Sequence, residues 1–136
     1  MVTEVCNTVK LNGYIAGVLP SGDTIDHLIG LSREKLIDSG VNKENAVKLT
    51  NEYYIEQHKF DPIKGVYADD EKGEHLQKMY WPEEIKELLE MMGFENIKLE
   101  KVYYPWAACR AFGWGYYPKS EKVWDWAFIA QKKKLL

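Results

Sequence analysis

Few side chains in this sequence can do chemistry near neutral pH: three histidines and two cysteines. His58 stands at the end of a helical pattern, and its imidazole is suited to general-base work. His27 has the same capacity, whereas His75 follows a charged stretch and receives no role. Asp23 and Asp26 can orient an amine or hydroxyl of a bound molecule, although Asp23 next to Thr24 is also an ordinary turn or cap residue. Arg110, set in AACRAFGW, can clamp a carboxylate or phosphate, or simply answer a buried carbonyl. Cys6 and Cys109 are far apart and belong to no CxxC pair or mixed Cys/His cluster, which disfavours a disulfide framework or a zinc site. Cys109 has no basic neighbour in sequence, so it is not read as a reactive thiol. Aromatic residues make up 13% of the chain, and Tyr54, Tyr104 and Trp106 are the rings expected to wall a small-molecule pocket. The other rings are read as packing.

These residues must be positioned by a chain of 136 residues, a length suited to one domain. Its 46% hydrophobic and 29% charged composition is that of an ordinary globular protein, which excludes a disordered or collagen-like chain. With 18 basic against 21 acidic residues the net charge is −3, which offers no electrostatic footprint for a phosphate backbone. Lys132, Lys133 and Lys134 form too short a run to change this. No apolar stretch approaches the ~18 residues of a membrane span, and no leader-like segment opens the chain. The expected location is cytoplasmic, without membrane or nucleic-acid partners.

Periodicity supplies the elements. Val2, Val5, Cys6 and Val9 make one apolar stripe on a helix that Asn12 and Gly13 stop. The run YIAGVL from Tyr14 to Leu19, apolar on both faces, predicts a buried parallel strand. Pro20 to Asp23 predict a turn, Thr24 to Asp38 a helix closed by Gly40, and Asn42 the cap of a helix through His58. Turn residues and charges between Phe60 and Gly73 predict a mobile loop. The clearest helix starts at Pro82, whose missing N–H costs nothing in the first turn, and stops at Gly93. Ile97, Leu99 and Val102 alternate with charges and predict a strand with one wet face. Val123 to Ala130 predict a second strand, heavily aromatic. The aromatic, glycine-rich stretch between those two strands, Pro105 to Lys119, is expected to be a folded functional loop.

In this order, three stretches resemble the C-terminal half of a class I S-adenosylmethionine-dependent methyltransferase. TEVCNTVKLNGYIAGVLP resembles the helix, turn and proline-ended fifth strand of that family, with Lys10, Leu11, Asn12 and Gly13 in place of its KPGG turn. YWPEEIKELLEMMGFENIKLEKV resembles the last helix, Gly-Phe turn and sixth strand. WDWAFIAQKK resembles the seventh, antiparallel strand. The resemblance implies an α/β fold, a partial Rossmann-like arrangement in which a small mixed sheet carries strands five, seven and six. Residues 1–23 would be a helix and buried strand, 24–79 a helical lid insertion over the acceptor, and 80–136 the last helix and antiparallel strand pair, all within a single domain. Substrate contacts would come from Tyr54, Tyr104, Trp106, Arg110 and Asp23, with His58 or His27 as base.

The glycine-rich loop and acidic residue that hold the cofactor in that family have no counterpart here. The one GxG, Gly113 to Gly115, follows no clear parallel strand. S-adenosylmethionine is therefore expected to bind only with a complementary half. The fifth strand would also lack one neighbour. Four or five backbone groups buried unpaired at ~1 to 3 kcal/mol each would rival a typical stability of ~5 to 15 kcal/mol, and left in water they would make a sticky edge. The expected partner is a separate cofactor-binding half, or a second copy paired through the edge of Tyr14 to Leu19, together with a small-molecule acceptor. The alternatives are a non-catalytic interaction or small-ligand module derived from that fold, and an independent α+β binding domain.

Overall fold

Four helices and five strands form among residues 2–68, 74–103 and 124–135, the part of the chain described in this computed structural model. The chain is mixed α/β, and it divides into two units: Met1–Leu19 with Tyr80–Leu136, and Pro20–Met79.

In the first unit, helix α1 (Val2–Thr8) leads through the Asn12 turn into strand β1 (Tyr14–Pro20). Helix α4 (Pro82–Met91) opens on Pro82 with Glu83 and Glu84 facing the positive end of its dipole. Gly93, at φ +88°, turns the chain directly into strand β4 (Phe94–Tyr103). Strand β5 (Trp124–Lys132) lies between the other two, giving the order β1-β5-β4. β4 and β5 are antiparallel, with Leu99 opposite Phe128 and Tyr103 opposite Trp124. A bulge between Glu95 and Lys98 is taken up by Asn96 at φ +54°. Cys6, Ile15, Ile85, Leu89, Phe94, Phe128 and Ala130 form the core, so α1 and α4 cover the same face of the sheet.

β1 departs from the expected buried parallel strand. The Lys132 N–H donates to the Gly13 carbonyl at 2.8 Å, and Gly17 sits against the Phe128 ring. Numbers rise along one strand as they fall along the other, so β1 runs antiparallel to β5. It is also half exposed: Ile15 is buried, while Tyr14 and Val18 are 64% and 55% exposed. An apolar run reads alike for a strand covered on both faces and for an edge strand covered on one. The structure selects the second arrangement. The sheet is accordingly small and antiparallel rather than mixed.

In the second unit, Ser21 caps helix α2 (Gly22–Asp38) by accepting the Thr24 N–H at 3.2 Å. The predicted turn from Pro20 to Asp23 is thus already the start of that helix. Gly40, at φ +105°, ends it, and Asn42 caps helix α3 (Lys43–Gln57) through the Asn45 N–H at 2.9 Å. The insertion is not wholly helical, and the expected loop after Phe60 is in part structured. Strand β2 (Val66–Ala68) pairs antiparallel with β3 (Leu76–Lys78). The Asp61 carboxylate accepts the N–H groups of Ile63 and Lys64, an Asx turn that starts a tight reversal closed by an Asp61–Val66 bridge. Among the described residues no helix is long and apolar enough to cross a membrane.

Candidate functional site

Two of the chemistry-bearing residues of the Pro20–Met79 unit, Tyr54 and His58, meet where α3 ends. Lys59 adopts φ +52°, and the N–H groups of His58 and Phe60 both return to the Tyr54 carbonyl, at 3.2 and 3.1 Å. This left-handed termination, made without glycine, reverses the chain so that Phe60 is buried while His58 faces β2. His58 Nδ1 lies 2.7 Å from the Ala68 carbonyl oxygen, and the Ala68 N–H donates to the His58 carbonyl at 2.7 Å. A carbonyl only accepts, so Nδ1 carries the proton. In the neutral imidazole Nε2 is then left to accept from the Tyr53 hydroxyl at 3.3 Å. The imidazole stacks on Tyr67 with centroids 5.0 Å apart and planes at 9°. Tyr54 lies 5.6 Å from the same ring. Tyr54 is buried, and since Ser32 spends its own proton on the Leu28 carbonyl, the Tyr54 hydroxyl donates to Ser32 Oγ at 3.2 Å.

The arrangement anchors one imidazole nitrogen on a backbone carbonyl and aims the other at an exposed phenol. That geometry orients a base and gives it a short proton path through Tyr53 to solvent. The Nδ1 bond to the Ala68 carbonyl, with the Ala68 N–H bond to the His58 carbonyl, also clasps residues 58 to 68 into a closed loop, a purely structural service. Beside Tyr54 lies a groove of about 410 Å³ between α2, α3 and the Phe60 turn, lined by Asp26, Ile29, Arg33, Asn51, Tyr54, Ile55, Phe60 and Pro62. Arg33 Nη2 donates to Asn51 Oδ1 at 3.1 Å, while its Nε is buried without a hydrogen-bond partner among the described residues.

The first unit carries a groove of about 440 Å³ along α4 and the β4 bulge, with Lys86, Glu90, Glu95, Asn96 and Lys134 among its lining. Its charges are of both signs. Buried Lys132 donates from Nζ to the Cys6 carbonyl at 2.8 Å and lies 5.5 Å from the Phe94 ring centroid. Burial raises the Cys6 thiol pKa, and the Lys132 charge partly opposes that. The thiol is therefore held protonated, as suits a core residue.

Of the residues singled out from the sequence, the fold brings His58 and Tyr54 together. Asp23 occupies the first turn of α2, and His27 is exposed one turn on; neither lines the groove. Tyr104, Trp106 and Arg110 lie outside the described residues, as does the whole stretch from Pro105 to Lys119 expected to be a functional loop. Arg33 and Asn51 were missed. They are 18 residues apart on two helices, and no local spacing announces a pair made only by helix packing. Among the described residues, no group of three or more His, Cys, Asp or Glu side chains could hold a metal ion. Comparison with family models, with curated proteins and with solved structures finds no match.

Proposed function

We propose that the chain is the substrate-side and lid half of a class I S-adenosylmethionine-dependent methyltransferase acting on a small molecule, with the cofactor-binding half supplied from outside these 136 residues. The observation that carries the reading is the sheet order β1-β5-β4 with the last strand antiparallel in the middle. Helix α1 precedes β1, and α4 precedes β4. This is the order the resemblance implies for strands five, seven and six of a partial Rossmann-like sheet. The Pro20–Met79 unit is interposed where that family carries its lid. Among the described residues β1 is an edge of the three-stranded sheet, the position that a fourth strand of a complementary half would take.

Methyl transfer from a sulfonium depends mainly on aligning acceptor and methyl carbon in a water-poor pocket, with a base only where the acceptor must lose a proton. His58 is the base on this reading. Its Nδ1–H is fixed by the Ala68 carbonyl, and Tyr53 lies on the path by which the proton leaves. Tyr54 and Tyr67 form the aromatic wall. No residue here is assigned to the cofactor, and alone the chain is expected to be inactive.

A second reading, a non-catalytic ligand or interaction module of the same descent, is favoured by one observation: both His58 nitrogens already have protein partners. Equilibrium dialysis against labelled S-adenosylmethionine separates the two, on the pure chain and on the chain mixed with the product of the neighbouring reading frame. Retention in the mixture alone is expected for the enzyme half. Retention in neither sample sinks that reading and leaves the module.

A further inference from the structure

We propose that the groove beside Arg33 is a binding site for a small organic monocarboxylate with an apolar body. An arginine carries five N–H donors. Among the described residues the one hydrogen bond that Arg33 makes goes to Asn51, and Nε is buried without a partner there. No ion pair joins Arg33 to a carboxylate among the described residues. A half-buried guanidinium in that condition is costly to keep, since a desolvated cation is favourable only when its charge and donors are answered. A carboxylate answers the charge, and its two oxygens match two adjacent N–H groups of the planar fork.

The rest of the groove describes the rest of the ligand. Ile29, Tyr54, Phe60 and Pro62 present apolar surface, so the body attached to the carboxylate is a ring or a branched alkyl group rather than a sugar. A volume of about 410 Å³ lies within the ~300–1,000 Å³ of small-molecule pockets. Asn51 holds the guanidinium in one orientation, which lowers the entropy lost on binding. Inorganic phosphate has no apolar body to cover these side chains, so it is not the ligand this groove fits. Binding of this kind requires neither a cofactor nor a second chain, so it does not rest on the methyltransferase reading.

The sequence contains two arginines, Arg33 and Arg110, so the arginine side-chain region of a ¹H–¹⁵N spectrum holds two Nε–H signals. Arg33→Lys identifies one by its loss. Titration of the full chain with 3-phenylpropionate is expected to move the Arg33 signal saturably, with a Kd of about 1 mM for a ligand of about eleven non-hydrogen atoms. The neutral 3-phenylpropionamide is expected to bind about tenfold more weakly or worse, and inorganic phosphate to leave the signal in place. Asn51→Ala, at an exposed site, keeps the fold and weakens 3-phenylpropionate severalfold; it serves where Arg33→Gln fails to fold. Equal binding of acid and amide, a saturable shift with phosphate, a shift confined to Arg110, or no saturation by about 20 mM would each overturn the proposal.

Discussion

Replacing Gly93 by alanine tests the tightest joint in the first unit. Gly93 has φ +88°, and a left-handed conformation costs an L-residue about 1–2 kcal/mol relative to glycine. Steric cost adds to this. A Cβ at position 93 would meet the Lys134 carbonyl oxygen inside any tolerable contact distance, and that oxygen belongs to backbone. Backbone yields only by disturbing the bonds from the Lys133 and Lys134 N–H groups to the Gly93 carbonyl, at 2.9 and 3.1 Å. Overpacking of this sort costs about 1–3 kcal/mol, so the expected total is about 2–5 kcal/mol. Urea unfolding followed by tryptophan fluorescence reads the right unit, because all five tryptophans fall within Tyr80–Leu136. A stop after Lys133 removes the offending carbonyl. In that background Gly93→Ala is expected to cost only the conformational part, about 1–2 kcal/mol. A full-length variant within about 0.5 kcal/mol of the parent, or an equal cost in both backgrounds, refutes the reasoning.

Three further substitutions have outcomes fixed by the same geometry. Gly17→Ala places a Cβ 2.9 and 3.0 Å from Cζ and Cε1 of the Phe128 ring, so a loss of about 1–3 kcal/mol is expected in urea melts, relieved when Phe128→Leu is added. Lys59→Gly removes the left-handed penalty at φ +52° and is expected to stabilise the chain by about 0.5–1 kcal/mol, read as a higher thermal midpoint by circular dichroism. Cys6 is raised first by burial and opposed by Lys132, so its folded pKa exceeds the unfolded value of about 8.5. Its contribution to stability is therefore complete below that value and lost as pH rises through the folded pKa. The stability gap between Cys109→Ser and Cys109→Ser/Cys6→Ala is expected to hold steady up to about pH 8 and narrow above it; a gap that widens in alkali counts against the assignment.

How much of this was legible beforehand divides by the range of the interaction that fixes each element. The Pro82 start and Gly93 stop of α4, and the Asn42 cap of α3, are written in adjacent residues, and they stand where the pattern put them. β2 and β3 are three residues each and acquire their pairing only when the chain closes on itself, so turn chemistry alone made that stretch read as a loop. His58 was visible as a helix-terminal imidazole. Its partners were not, because Ala68 and Tyr67 reach it through a reversal that depends on Lys59 taking a conformation lysine seldom adopts. The sidedness of β1 was illegible for a different reason: alternation cannot be read from a run in which every residue is apolar.

That uniformity separates the two edges of the three-stranded sheet. Natural edges are guarded by charge, and β4 is guarded by the exposed Glu95, Lys98, Glu100 and Lys101. β1 has no charged residue between Tyr14 and Pro20. The Gly13 carbonyl turns toward β5, so by alternation the N–H and C=O groups of Tyr14, Ala16 and Val18 turn outward. Six such groups, at about 0.5–1.5 kcal/mol net for each hydrogen bond, return at most about 3–9 kcal/mol when a strand pairs with them. Association alone costs an estimated 4–15 kcal/mol, so over most of that range strand addition by itself does not hold a partner here. The shortfall must come from apolar surface, and the sheet offers it on the face away from α1 and α4, where Tyr14, Val18 and Ile129 are exposed. An occupant of this edge therefore has to extend the sheet and cover its open face together. A single extended peptide meets only the first demand, whereas a folded α/β half that brings both a strand and a helix meets both.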